Sequence, residues 1–171
     1  MATEGGTLSG EWPLAGLKRL LAVGEALPLA QWPAPHFVSW RASGTLRPLP
    51  GTGAKVRLTL HAQCTAALTC QRCLGPLLLP LQVQREFYFV AGEDVAARLD
   101  DEIEQDVLEL TPALDLRVLT EDELILALPL VPRHADCTLA LPARDSAAPA
   151  ATADEHPFGV LARLLPPAGT A

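Results

Sequence analysis

From Val56 to Cys70 every even-numbered position is apolar or cysteine, while the odd positions read Arg, Thr, His, Gln, Thr, Ala and Thr. A two-residue period sustained over 15 residues predicts one long strand, or two collinear ones, with one face buried. Cys64 falls on that buried face and reads as core. A second alternation follows, with Leu77, Leu79, Leu81, Val83, Phe87 and Phe89 on one side and Gln82, Gln84 and Glu86 on the other; Arg85 interrupts the apolar side. Gly75-Pro76 between the two is turn chemistry. The two segments are expected to pair antiparallel, with Phe37–Leu46 as a third strand.

Helical signals are short. Leu17, Leu20, Leu21 and Ala26, with Lys18 and Arg19 opposite, predict an amphipathic helix over 16–27 that Pro28 ends, and residues 28–36 read as Pro-rich and extended. Residues 92–99 read as a linker or short helix, and 106–110 as a short strand. Asp115 is placed to cap a helix from Leu116 to Ala127, after which Pro129 and Pro132 force extended chain. From Thr138 to Glu155 the chain is rich in Ala, Pro, Asp and Ser and has little to bury, which is linker composition. Apolar character returns over 156–165, a stretch too short to fold alone and expected to dock. The expectation is an α+β fold: an antiparallel sheet with flanking short helices, then a flexible Ala/Pro-rich linker and a C-terminal docking segment. Along the chain this gives a disordered tail over 1–15, one domain over 16–137, the linker over 138–155 and the helical docking segment and tail over 156–171.

Composition narrows the class. Sixteen prolines in 171 residues exclude a bundle of long helices. The longest uncharged run, Ala26–Trp40, has 15 residues and three prolines, too short and too broken for a bilayer span. Glu4 and Glu11 precede the first base, Lys18, with no continuous apolar segment after it, which does not resemble a secretory leader. A cytoplasmic protein without a membrane partner is expected. The net charge of −7 hides an asymmetry: twelve of the twenty acids and two of the thirteen bases lie in 93–123. Residues 26–85 contain no acid, yet carry Arg41, Arg47, Lys55, Arg57, Arg72 and Arg85. These six are candidates to meet phosphates on a basic face backed by an acidic half, although strands are in any case poor in Asp and Glu.

Four cysteines without a leader do not make a disulfide framework. Cys70-Gln71-Arg72-Cys73 has the spacing of a metal-binding knuckle, and sixty residues further on His134-Ala135-Asp136-Cys137 repeats it. Together they form a Cys3His set, a composition that closed structural zinc sites accept, and one structural zinc is expected. A redox pair is the competing chemistry. It requires a helix N-terminus to activate the first thiol, and here Gly75-Pro76 and a strand follow instead. His36 and His61 are isolated. No nucleophile–base set, phosphate loop or zinc-protease motif is present, so no active site is expected. Glu121, Asp122 and Glu123 read as dipole-compensating surface acids at a helix start.

Thr69-Cys70-Gln71-Arg72-Cys73-Leu74 in a hairpin, the run Glu121–Pro132, then His134 and Cys137, and finally His156–Leu161 occur in an order that resembles the YceD family of large-ribosomal-RNA-subunit accumulation proteins. The resemblance runs over residues 38–165. It implies a role in synthesis, processing or stability of 23S rRNA, without catalytic activity and without DNA as a partner. Two modes of action stay open. The basic residues named above would meet 23S rRNA or its precursor. Alternatively the acidic 93–123 stretch, with Glu121, Asp122, Glu123 and Phe158 as contact candidates, would hold a basic large-subunit protein or an assembly factor, as an adaptor or chaperone does.

Overall fold

The computed structural model describes residues 5–23, 26–49 and 53–137. The linker over 138–155 and the docking segment with Phe158 lie outside the described residues. The frame is a five-stranded sheet in the order β1 (Gly6–Pro13), β2 (Phe37–Leu49), β3 (Gly53–Thr69), β4 (Pro76–Val90) and β5 (Asp106–Glu109). The first four strands pair antiparallel, each with its sequence neighbour. β5 joins β4 in parallel, so the sheet is mixed where an antiparallel one was expected. The cause is α2 (Glu93–Glu102), a crossover helix that brings the chain back in the direction of β4. Asp100 Oδ1 accepts from the Val107 amide at 2.8 Å and pins the helix to the new strand.

The alternation read along β3 and β4 sets two faces. On the inner face stand Leu58, Leu60, Ala62, Ala66 and Leu68 of β3, and beside them on β4 stand Leu77, Leu81, Val83, Phe87 and Phe89, all buried, with Leu58 paired to Phe87, Ala62 to Val83 and Leu68 to Leu77. Two helices cover this face: α1 (Lys18–Leu21) and α3 (Leu116–Leu126). Leu14, Leu17, Leu20 and Leu124 share one core cluster with Val38, Ala62, Ala66, Leu68, Leu81 and Val83. Leu116 and Leu119 pack against a second cluster built on Ala42, Leu58, Leu60, Phe87 and Phe89. Asp115 caps α3 as its position predicts, its Oδ1 accepting from the amides of Arg117 at 2.9 Å and Val118 at 3.2 Å. On the other face α2 covers only the end of the sheet near β5, where Ala96 and Leu99 pack on Leu49, Val90 and Val107.

Two N-terminal expectations are corrected. Gly6–Pro13, placed in a disordered tail, is edge strand β1, paired over eight residues with β2. Most of its side chains are exposed, so its sequence has no apolar period to read. Its anchor is Trp12, stacked on Trp40 with centroids 4.5 Å apart and crossed by the Arg117 guanidinium at 5.8 Å. Gly10 permits this packing, because a Cβ there would come within 3.3 Å of the Trp40 ring. The helix expected over 16–27 shrinks to the four residues of α1. Beyond it the chain is drawn into extended pairing, with Ala26 bridging Leu68 and the Leu27 amide donating to the Ala67 carbonyl at 2.8 Å.

Candidate metal centre

The turn between β3 and β4 forms a knuckle. The Leu74 amide donates to the Cys70 carbonyl at 2.8 Å, and the Cys70 amide to the Gly75 carbonyl at 2.9 Å. Leu74 takes the left-handed φ of 58° that closes the loop. The segment after α3 crosses this knuckle, where the Gln71 amide donates to the Pro132 carbonyl at 2.8 Å. That bond brings the second ligand pair, sixty residues away in sequence, onto the first.

The ligand atoms of Cys70, Cys73, His134 and Cys137 all lie within 4.8 Å of one another. Cys70 and Cys137 are buried, whereas Cys73 is exposed. Cys70 Sγ is 3.9 Å from Cys137 Sγ, and Cys73 Sγ is 3.5 Å from His134 Nδ1. A tetrahedral zinc with Zn–S near ~2.3 Å and Zn–N near ~2.05 Å requires ligand separations of about 3.8 Å and 3.6 Å. The set therefore fits the ion in donor type and in spacing. His134 Nε2 lies 3.0 Å from the Pro76 carbonyl, which fixes the ring and leaves Nδ1 for a metal, an arrangement typical of metal-binding histidines.

The surroundings set the thiols apart in proton affinity. Burial pushes Cys70 upward, but the amides of Cys73 and Arg72 stabilise its thiolate more strongly, and its pKa falls well below that of an ordinary thiol. Its hydrogen bond with Cys73 and burial then hold Cys137 above that value. The Pro76 carbonyl and the Cys70 thiolate raise His134. A cation held by these four groups would compensate the thiolate charge. The activated thiol, Cys70, is fully buried and precedes a strand rather than a helix, an arrangement that suits a ligand better than a redox nucleophile. Cys64, read as core, is half-buried against the inner-face cluster, and burial lifts its thiol to about 11.

The other candidates divide by face. Arg41, Arg47 and Arg57 belong to the outer face of the sheet, as does Lys55. Arg57 is tied to Glu86 at 3.3 Å. Arg72 is exposed in the knuckle, at the opposite end of β3 from Lys55. Arg85 stands on the inner face, half-exposed, and pairs with Glu123 at 2.9 Å and Asp106 at 3.3 Å.

The reading of Glu121 and Glu123 as surface acids and partner contacts is also corrected. Both are buried in the middle of α3. Glu121 Oε1 accepts from the amides of Arg19 at 2.7 Å and Leu20 at 3.1 Å, and its Oε2 accepts from Arg19 Nε at 3.2 Å. It satisfies donors that the first turn of α1 leaves open. Asp122 pairs with the same Arg19 guanidinium. Sequence reading missed this clasp because its halves lie about a hundred residues apart; the only local signal is a base pair, Lys18-Arg19, beside buried leucines.

No solved structure matches the chain. Among known families, residues 58–165 match the one described as large ribosomal RNA subunit accumulation protein YceD. The match begins inside β3, later than the resemblance from residue 38, so β1 and β2 precede it. It includes both halves of the Cys3His cluster and Glu121 of the clasp, but not Arg19, and covers nearly two thirds of the chain, and the chain belongs to the YceD family.

Proposed function

We propose that this chain is a non-enzymatic factor of the cytoplasm that supports synthesis, processing or stability of 23S rRNA of the large ribosomal subunit. In this reading Cys70, Cys73, His134 and Cys137 hold one structural zinc. The convergence of four ligand atoms from two distant segments is the observation that carries the zinc assignment, and the family match carries the ribosomal one. Zinc here supplies charge and a crosslink: it neutralises the crowded thiolates and fastens the segment after α3 to the β3–β4 turn. Protein purified with reductant and without chelator is expected to carry about one zinc per chain by elemental analysis. A content far below that refutes the zinc assignment. Depletion of the chain in growing cells is expected to lower 23S rRNA relative to 16S rRNA, and an unchanged ratio refutes the ribosomal role.

A second reading draws on α2, whose Glu93, Asp94, Asp101 and Glu102 are exposed. Here the chain is an adaptor or chaperone that holds a basic ribosomal protein without touching RNA. A pull-down split into RNase-treated and untreated halves separates the two: large-subunit proteins that persist after RNase and leave in salt favour the adaptor, whereas enriched 23S rRNA with few persisting proteins favours RNA contact.

A further inference from the structure

Between α2 at one end and the Pro33–Pro35 turn at the other, the outer face of β1–β4 lies open among the described residues. Strand register sets its side chains in rows. Ser9, Arg41, His61 and Gln84 stand side by side across four strands, and Glu11, Ser39, Gln63 and Gln82 form the next row. These rows line an open concavity of about 870 Å³. It continues, through Ser39, Gln63 and Gln82, into a smaller hollow of about 290 Å³ beside Phe37.

Charge on this face is unbalanced. Arg41, Arg47 and Lys55 have no acid within ion-pair distance among the described residues. Where Thr45 and Arg57 stand opposite each other, the buried Thr45 Oγ1 and Arg57 Nε have no hydrogen-bond partner. Glu11 is the one acid of these two rows, and its Oε1 accepts from the Ser39 hydroxyl at 3.4 Å; the other polar side chains of the rows, Arg41 aside, are amide, imidazole and hydroxyl, groups that both donate and accept. Phe37 is the large apolar side chain exposed at its edge. This is not the apolar, aromatic-anchored centre that a protein partner needs. It is what an extended nucleic-acid strand needs: cations for phosphates, amides for unpaired base edges and an aromatic ring for stacking. From β2 to β4 the face is about 10 Å wide, suited to one strand rather than a duplex. From Arg47 to Phe37 it runs roughly 33 Å, at about 3.3 Å per residue, enough for several nucleotides.

We propose that this face binds single-stranded RNA, with Arg41, Arg47 and Lys55 on phosphates, His61, Gln63, Gln82 and Gln84 on base edges, and Phe37 stacked on a base at one end. The proposal rests on the ribosomal reading for the identity of the strand as RNA, while the contact chemistry stands on the face itself. The test is fluorescence anisotropy of the full chain, supplied with zinc, against a labelled 12-nucleotide single-stranded RNA of mixed sequence, over a series of salt concentrations.

Arg41→Glu with Lys55→Glu is expected to weaken binding at least tenfold and to flatten the log–log salt slope by about 1.4, at about 0.7 per lost single-strand phosphate contact. Gln84→Ala is expected to weaken binding several-fold with the slope unchanged. Arg72→Glu, away from the face, is expected to stay within twofold of wild type, and unlabelled duplex RNA of the same length to compete poorly. Equal melting temperatures of the variants and the wild type certify folding. The proposal is overturned by a wild-type chain that ignores the 12-mer, by a double reversal that binds as wild type, or by Arg72→Glu costing as much as the reversal. A depleted 23S rRNA pool together with no 12-mer binding sinks this face and keeps the ribosomal reading. Binding with an unaltered 23S rRNA pool does the opposite.

Discussion

On the inner face of the sheet Arg85 meets Glu123 at 2.9 Å and Asp106 at 3.3 Å, and beneath the same helix Arg19 meets Glu121. On the outer face, one pleat away, Arg41, Arg47 and Lys55 stand without an acid in reach among the described residues. The segment 26–85 that supplies Arg85 and the outer-face bases is free of Asp and Glu throughout, so composition does not distinguish the two groups. Parity does. Leu60 pairs with Arg85 and His61 with Gln84, and a single step along the strand moves a cation from beside the carboxylate of Glu123 to the outer face. An inner-face charge is therefore a matter of stability, because a buried carboxylate that loses its donors is left uncompensated. An outer-face charge without an acid partner, such as Arg41, is available for a ligand and contributes little to folding, whereas Arg57 of the same face is already tied to Glu86.

That contrast can be attacked from its most costly end. If the proposed zinc is bound, stripping it with a chelator, or replacing Cys70 by Ser, is expected to cost ~3 kcal/mol or more, because it would crosslink two segments that otherwise share few bonds. Calorimetric melts before and after chelation measure it, and superimposable melts would remove the metal from the folding account. Next, Glu121→Ala leaves two amides of α1 open in a buried setting, and denaturant unfolding is expected to show a loss of about 2–4 kcal/mol. Glu121→Gln keeps an acceptor oxygen and should lose clearly less; equal losses would mean that the charge, not the capping, stabilises the clasp.

Cys64 gives a pH signature. Its folded thiol titrates near 11 against an ordinary value of 9.0, so the folded state favours the neutral form. The resulting stability is fully present below pH 9 and is lost as pH rises towards 11. It amounts to about 1–2 kcal/mol once partial solvation is allowed for. The stability difference between wild type and Cys64→Ala should shift by that amount between pH 8 and pH 11, and a constant difference would place the thiol in water. Asp115→Ala removes the α3 cap at a cost of about 1 kcal/mol. Smallest is Arg41→Glu, expected to change unfolding free energy by less than about 0.5 kcal/mol; a larger loss would turn the outer face into a structural one.

The elements that were legible are those whose signal is local. Val56–Cys70 and Leu77–Phe89 carry their own period, Gly75-Pro76 its own turn, and Asp115 its own cap, since each depends on residues within a few positions. The paired spacing of Cys70 with Cys73 and of His134 with Cys137 marked the residues of the cluster for the same reason. β1 was not legible, because an edge strand exposed on both sides has no apolar alternation to display. Nor was the direction of β5, which depends on where α2 returns the chain rather than on Asp106–Glu109 itself.

By sequence alone, then, this protein has the two faces of its sheet and the composition of its Cys3His cluster. Tertiary structure alone decided that the two ligand pairs converge, that Glu121 lies beneath α1 instead of at the surface, and that Arg85 is matched while Arg41 is not. The physical reason is that a period constrains which way a side chain points, whereas charge pairing across 38 or 102 residues is fixed only when the chain has closed on itself.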